Sequence, residues 1–261
     1  MIAAAVGRGL ELVALTDHNT AENTPVFCAL AAEAGVAALA GVELTTVEEV
    51  HVVCLFREPE TALAFGREVY KTLPPTIHDP ARFGDQVIVD KDDMIEGALE
   101  KSLFGASTYS VEDALERVRA LGGLFIPAHI DRSANSILSQ LGFVPDLPFD
   151  AVELIGRECP AGLEAVACTA ASDAHRPEDV GRRYVKLEAP PAAGGPVGAA
   201  GAASGFGGAR SDPARRFEAG DGAAGAGAFD ALVSALREQR VTRVLPTDQR
   251  PGRRSRSGGA L

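Results

Sequence analysis

The chain has 261 residues, 46% of them hydrophobic and 5% aromatic, with no tryptophan, so it can bury a sizeable core built mainly from Ala, Val, Leu and Ile. Its 25 basic and 36 acidic residues give a net charge of −11, which argues against a general nucleic-acid-binding surface because phosphate contacts need clustered Lys and Arg. An anionic small substrate is not excluded, since bound divalent cations invert the local field.

From the N-terminus, residues 1–8 read as the end of a helix closed by Gly9. No basic region, apolar stretch and cleavage site follow one another there, so no signal peptide is expected. Residues 12–16 (LVALT) form a short β-like run followed by Asp17 and His18, and helical spacing covers 21–34, ended by Gly35. A second apolar run, 36–42, ends at Glu43, and His51 opens a third, HVVCLF. Helical character resumes over 59–70. Residues 74–84 form a loop in which His78 reads as an ordinary exposed residue, and 86–90 (QVIVD) is one arm of a small hairpin.

A helix over 110–121 is capped by Ser110, with Asp113 completing a capping-box pattern. Residues 123–128 (GLFIPA) are a strand followed by His129. Two more strands span 151–155, which contains Glu153, and 167–171, which leads into Asp173 and His175. Residues 184–188 form a further strand. The composition then shifts to Ala, Gly and Pro, and the expected division is an α/β body (1–188), a flexible insertion (189–228), a helix and strand that return to the body (229–247) and a disordered basic tail (248–261). Apolar runs such as 166–171 are far shorter than a membrane span. Cys28, Cys54, Cys159 and Cys168 show no two-residue spacing and read as four reduced thiols. A soluble, cytoplasmic protein with no membrane contact is expected.

Strands alternating with helices imply a mainly parallel α/β sheet. The polar residues follow apolar strands directly, as side chains do where the strands of a barrel converge at one mouth. The chain has five histidines, and four of them (His18, His51, His129 and His175) flank such strands, together with Glu43 and Asp173. Any one of these is most simply a structural residue. Imidazole and carboxylate groups gathered together suit Zn2+, Mn2+ or Fe2+, and a cation pair bridged by Glu43 would polarise a phosphoryl group and activate water.

The order LTDHN, GVE, HVVCLF, PAHIDR and SDAH resembles the PHP (polymerase and histidinol phosphatase) superfamily over roughly residues 9–188. The resemblance implies a distorted TIM-like (β/α)7 barrel, two or three divalent metals and an enzyme that hydrolyses phosphoesters. Under it, Glu43 bridges two metals, His51 and His129 complete one site, His18 and His175 serve a third, Asp173 ligates the first, and Asp17 orients a ligand through a hydrogen bond.

The family normally opens with a His-x-His strand tens of residues before TDH. Here 16 residues precede Asp17 and none is His, so a chain without the first barrel strand is expected, as a fragment or a chain started at an internal Met. The implied reaction is attack of a metal-bound hydroxide on a phosphomonoester or nucleotide-type phosphoester, with Arg132 gripping the phosphate. A small phosphorylated substrate is expected as partner, and no stable nucleic-acid complex. A truncated or degenerate PHP domain with a regulatory role, and a metal-dependent amidohydrolase, are the alternatives. A G-x-S-x-G elbow and a P-loop are absent.

Overall fold

A computed structural model describes residues 1–156, 158–188 and 223–245. The elements in chain order begin with α1 (Ile2–Gly7), β1 (Leu12–Leu15), α2 (Thr24–Glu33), β2 (Ala37–Thr45), β3 (His51–Phe56) and α3 (Pro59–Thr72). The chain continues through α4 (Pro80–Phe83), β4 (Val87–Val89), β5 (Ile95–Ala98), α5 (Val111–Ala120) and β6 (Leu124–Pro127). Last come α6 (Ile137–Leu141), β7 (Val152–Glu153), β8 (Cys168–Thr169), β9 (Tyr184–Leu187), α7 (Ala223–Arg237) and β10 (Val241–Val244). The expected insertion lies outside the described residues as far as 222, as does the basic tail. None of the described helices is long and apolar enough to cross a membrane.

The fold is mixed α/β, built on a four-stranded sheet in the order β1-β2-β3-β6. Only β1 and β2 run parallel there, joined by α2 as a crossover. The expected mainly parallel sheet is corrected at the next two pairs, β2 with β3 and β3 with β6, which are antiparallel. Five residues separate β2 from β3, too few for a crossover between parallel strands. Instead Thr46 and Val50 close a tight turn through a 2.9 Å backbone bond, with Glu49 at φ 62.

Three two-stranded pairs complete the strand set: parallel β7-β8, antiparallel β4-β5 and antiparallel β9-β10. Among the described residues, these strands are not joined into one closed ring. The hairpin foreseen at 86–90 is β4-β5, and the Ser110 cap is present, its hydroxyl accepting from the Asp113 amide at 3.0 Å. The second bond at that cap differs from a capping box, because the Ser110 hydroxyl donates to the Asp113 carboxylate at 2.7 Å.

The sheet is covered on both faces, so β2 is apolar almost throughout. Strand periodicity divides its residues. Ala40, Val42 and Leu44 join Val52, Phe56, Phe65, Val118 and Phe125 in a core beneath α3 and α5. Leu39 packs instead with Leu55, Leu124 and Ile126 against Phe229, Leu232 and Leu236 of α7, which recur at helical spacing. Gly41 on that second face leaves no room for a side chain: a Cβ would meet the Cys54 carbonyl and the Thr16 and Leu55 side chains at 2.8 Å. Gly66 does the same for α3, which lies so close to the turn before α2 that a Cβ would sit 2.8 Å from the Ala21 amide.

The expectation of four reduced thiols is also corrected. Cys28 and Cys54 are free, but Cys159 and Cys168 form a disulfide with their Cα atoms 6.4 Å apart. The loop before β8 folds back beside that strand and brings together two residues whose spacing of nine signals nothing in sequence.

Candidate metal centre

Period-two alternation assembles the heart of the site. Glu43 near the end of β2 shares a face with Leu39 and Gly41, and His51 at the start of β3 shares it with Val53 and Leu55. Antiparallel pairing sets Glu43 opposite Val53 and Thr45 opposite His51, so the two polar groups arrive side by side. The chain after β1 adds His18, which bridges to Glu43 in parallel register, with the Asn19 amide donating to the Glu43 carbonyl at 2.9 Å. His129 follows β6, where the Ala128 amide is bonded to the His51 carbonyl at 3.0 Å.

The Glu43 carboxylate is buried among three imidazoles. Its Oε1 lies 3.0 Å from His51 Nδ1 and 3.4 Å from His129 Nε2, and its Oε2 lies 3.6 Å from His18 Nδ1. Donor atoms of His18, Glu43 and His51 all fall within 4.8 Å of one another. Despite this proximity, His51 Nδ1 and both ring nitrogens of His129 are buried without a hydrogen-bond partner.

Asp173 and His175 stand at the rim. Asp173 Oδ1 is 3.6 Å from His175 Nδ1, and the His175 ring lies 6.2 Å from that of His18. Arg132 Nη1 is 3.4 Å from Asp173 Oδ2, which makes the arginine an ion-pair partner of Asp173. The Asp17 carboxyl partners Asn23, while its backbone carbonyl accepts from the Glu43 amide at 3.1 Å. Asn19, His129 and Asp173 all have positive φ, at 53°, 33° and 48°. Such backbone costs about 1–3 kcal/mol per residue and persists where surrounding structure over-determines it.

Electrostatics follow from this packing. Burial alone raises the Glu43 carboxyl, but the imidazoles of His129, His51 and His18 outweigh it and hold the group well below the usual carboxylate range. Burial lowers His18, favouring its neutral ring against the opposing pull of Glu43. For His129 burial works downward, yet Glu43 prevails and the ring is raised. Burial lifts Asp17 to about 6, opposed by the Asn23 hydrogen bond. Glu153, weighed in sequence as either a solvated or a supporting residue, is 8% exposed and raised to about 7 by burial and then by Glu43.

His78 is a further correction. It is buried rather than exposed, and its Nε2 lies 2.6 Å from the Gly84 carbonyl, closing the 79–84 turn. Sequence reasoning also passed over Asn19, although it stands inside the LTDHN motif. Its side chain accepts from the Thr45 amide at 2.8 Å and donates to the carbonyls of Leu103 and Gly105 at 2.8 and 3.0 Å. A polar residue placed directly after a strand-end His was the one available signal.

Histidines and carboxylates converging from strand ends define a candidate metal-type centre. A family model described as PHP-associated matches residues 165–193, the stretch that carries Asp173 and His175. The resemblance of this chain to PHP proteins therefore rests on that segment as well as on motif order. No curated protein sequence matches the chain.

Among solved structures, the chain is similar to the lesion-specific endonuclease Q of Pyrococcus furiosus, at 17% identity and TM-score 0.49, over 72% of this chain and 47% of that one. An endonuclease Q complex with a 27-mer duplex substrate bearing an abasic lesion gives 16% identity and TM-score 0.45 over the same shares. A Bifidobacterium adolescentis protein assigned as a metal-dependent phosphoesterase gives 18% identity and TM-score 0.45, over 66% of this chain and 80% of that one. The chain thus spans about half the length of the endonucleases it matches.

Proposed function

We propose that this chain is a metal-dependent phosphoesterase of the PHP type, acting on a small phosphorylated substrate. The observation that carries the reading is the set of unpartnered buried nitrogens on His51 and His129 around the Glu43 carboxylate. Buried polar atoms without partners are costly, and the His51 Nδ1 and His129 Nε2 atoms that face the Glu43 carboxylate fit ligation of a Zn2+, Mn2+ or Fe2+ ion. His18, Glu43, His51 and His129 would hold such ions, with Asp173 and His175 contributing from the rim. A divalent cation there supplies Lewis acidity toward a phosphoryl oxygen and toward water.

The protein's own groups do the rest. Held below the usual carboxylate range, Glu43 stays charged and available as a ligand. The neutral His18 ring offers a lone pair. Arg132, held by Asp173 at the rim, would turn its guanidinium to a substrate phosphate. Asp17 supports the cluster through its backbone bond to Glu43.

A PHP-type barrel is the arrangement we infer for the strands. Backbone bonds link Ile130 after β6 to Glu153 on β7 at 2.8 Å, and Arg243 on β10 donates to the Gly156 carbonyl beyond β7 at 2.8 Å. Arg8, just before β1, reaches the Glu178 carbonyl ahead of β9 at 2.7 Å. These contacts support a curved succession of strands.

The test is release of inorganic phosphate from phosphomonoesters by protein loaded with Mn2+ or Zn2+, set beside His129→Ala and Glu43→Gln. Loss of two or more orders of magnitude in both variants is expected, as for removal of charge-stabilising groups. Undiminished turnover would sink the assignment, and cleavage of cyclic amides in place of phosphoesters would transfer the site to amidohydrolase chemistry.

A further inference from the structure

Beside the Glu43 cluster stands an aromatic pair that the proposed reaction leaves unused. The Phe104 ring lies 6.3 Å from the ring of His18, and the Phe83 ring lies 5.4 Å from Phe104. Both are open to solvent, Phe104 at 60% and Phe83 at 51% exposure. Two large apolar rings left open next to a polar cluster form a surface that a ligand would cover with gain.

The platform is held in place. Asn19, one residue after His18 and fully buried, donates to the carbonyls of Leu103 and Gly105 on either side of Phe104. The Leu103 amide is bonded in turn to the Gln86 side chain at 2.9 Å. His78 backs both phenylalanines, with ring separations of 6.2 and 6.5 Å. At the outer end the Arg82 guanidinium lies 5.0 Å from the centre of the Phe83 ring, a cation stacked on an aromatic face. The same asparagine that joins the His18 turn to Glu43 and Thr45 therefore also sets the distance from the cluster to Phe104.

We propose that Phe104 and Phe83 form a stacking platform for the nucleobase of a mononucleotide whose phosphate is held at the Glu43 cluster. The inference rests on the phosphoesterase reading and deepens it to a substrate class. Base stacking on an aromatic side chain is tolerant of which base is present, so the platform selects nucleotides over sugar phosphates without choosing among bases. Charge favours a mononucleotide over a polymer. A strand of nucleic acid needs a track of Lys and Arg, which a net charge of −11 does not supply, whereas one nucleotide needs one base contact and one phosphate site. Asn19 acts as a positioning residue, since it reaches the ligand only through the loop it clamps.

The experiment measures AMP binding calorimetrically, with and without Mn2+, on the wild-type chain, Phe104→Leu and Phe83→Leu. Hydrolysis of AMP and of ribose 5-phosphate by the Mn2+-loaded proteins is followed in parallel. Leucine keeps apolar bulk and removes the planar ring, and an unchanged urea midpoint shows that the exposed position tolerates it. We expect Phe104→Leu to weaken AMP binding about tenfold and to lower the ratio of kcat/KM for AMP over ribose 5-phosphate about tenfold, with a smaller effect from Phe83→Leu. Equal AMP binding by wild type and Phe104→Leu, or no AMP binding by the wild type, overturns the platform whatever the hydrolysis shows. If no phosphoester is cleaved but AMP binding falls in Phe104→Leu, the platform stands and the catalytic reading fails.

Discussion

Replacing Asn19 by alanine tests how the site is built, independently of any metal. The side chain has no exposure and makes three short hydrogen bonds: one accepted from the Thr45 amide and two donated to the carbonyls of Leu103 and Gly105. Each is worth about 1 kcal/mol net, and leaving the buried Thr45 N–H without an acceptor adds about 1–3 kcal/mol. Asn19 also sits at φ 53, a left-handed conformation that alanine adopts at an extra cost of about 1–2 kcal/mol. Because these losses share one site they are not fully additive. Asn19→Ala is therefore expected to cost about 3–5 kcal/mol.

Urea unfolding followed by far-ultraviolet circular dichroism, in chelator to remove any cation, measures this directly. Limited trypsin digestion supplies a local readout, because the loop carrying Phe104 begins next to Lys101 and loses its clamp in the variant. Faster cleavage after Lys101 should accompany the loss of stability. A stability change below about 1 kcal/mol, within the range of an ordinary surface substitution, with unchanged cleavage would refute the view of Asn19 as the hub of the site.

Three further outcomes follow from the packing, an exposed ion pair and a thiol. Phe229→Ala, which empties a position 3% exposed between α7 and the sheet, should cost about 3–5 kcal/mol in urea unfolding. Asp230→Ala removes an exposed ion pair with Arg57 and should cost less than about 1 kcal/mol. Burial, helped by Glu60, lifts the Cys28 thiol to about 11. Only the thiolate is nucleophilic, so at pH 8 Cys28 in the folded chain should alkylate about 100-fold more slowly than in the unfolded chain. Its rate should rise about tenfold per pH unit up to that value. Equal folded and unfolded rates at pH 8, read by mass spectrometry, would contradict this environment.

Much of the site's raw material was legible because strand-end chemistry leaves a local mark. Apolar runs stop at His18, Glu43 and His129, and period-two alternation carries Glu43 and His51 to one face. Strand direction was not legible, since the antiparallel pairing of β2 with β3 depends on a five-residue turn stabilised by Thr46, Val50 and the positive φ of Glu49. The Cys159–Cys168 bond and the burial of His78 arise from loops folding back on themselves, which no spacing rule anticipates. Glu153 remained ambiguous for a related reason: alternation gives a face, but only the approach of β7 to β6 buries that face beside His129. Phe104 lies in a stretch without periodicity and gains meaning only through the bonds Asn19 makes across more than 80 residues of chain.

The central claim is that the buried imidazoles around Glu43 exist to hold a cation. Equilibrium dialysis against Mn2+ and, separately, Zn2+, followed by elemental analysis, tests it most directly for the wild type, Glu43→Gln and His129→Ala. The account predicts at least one cation per wild-type chain, with a rise in unfolding free energy of about 2.7 kcal/mol at a hundredfold excess over Kd, and loss of both in each variant. A wild-type chain that binds neither ion, or variants that bind as well as the wild type, would contradict it.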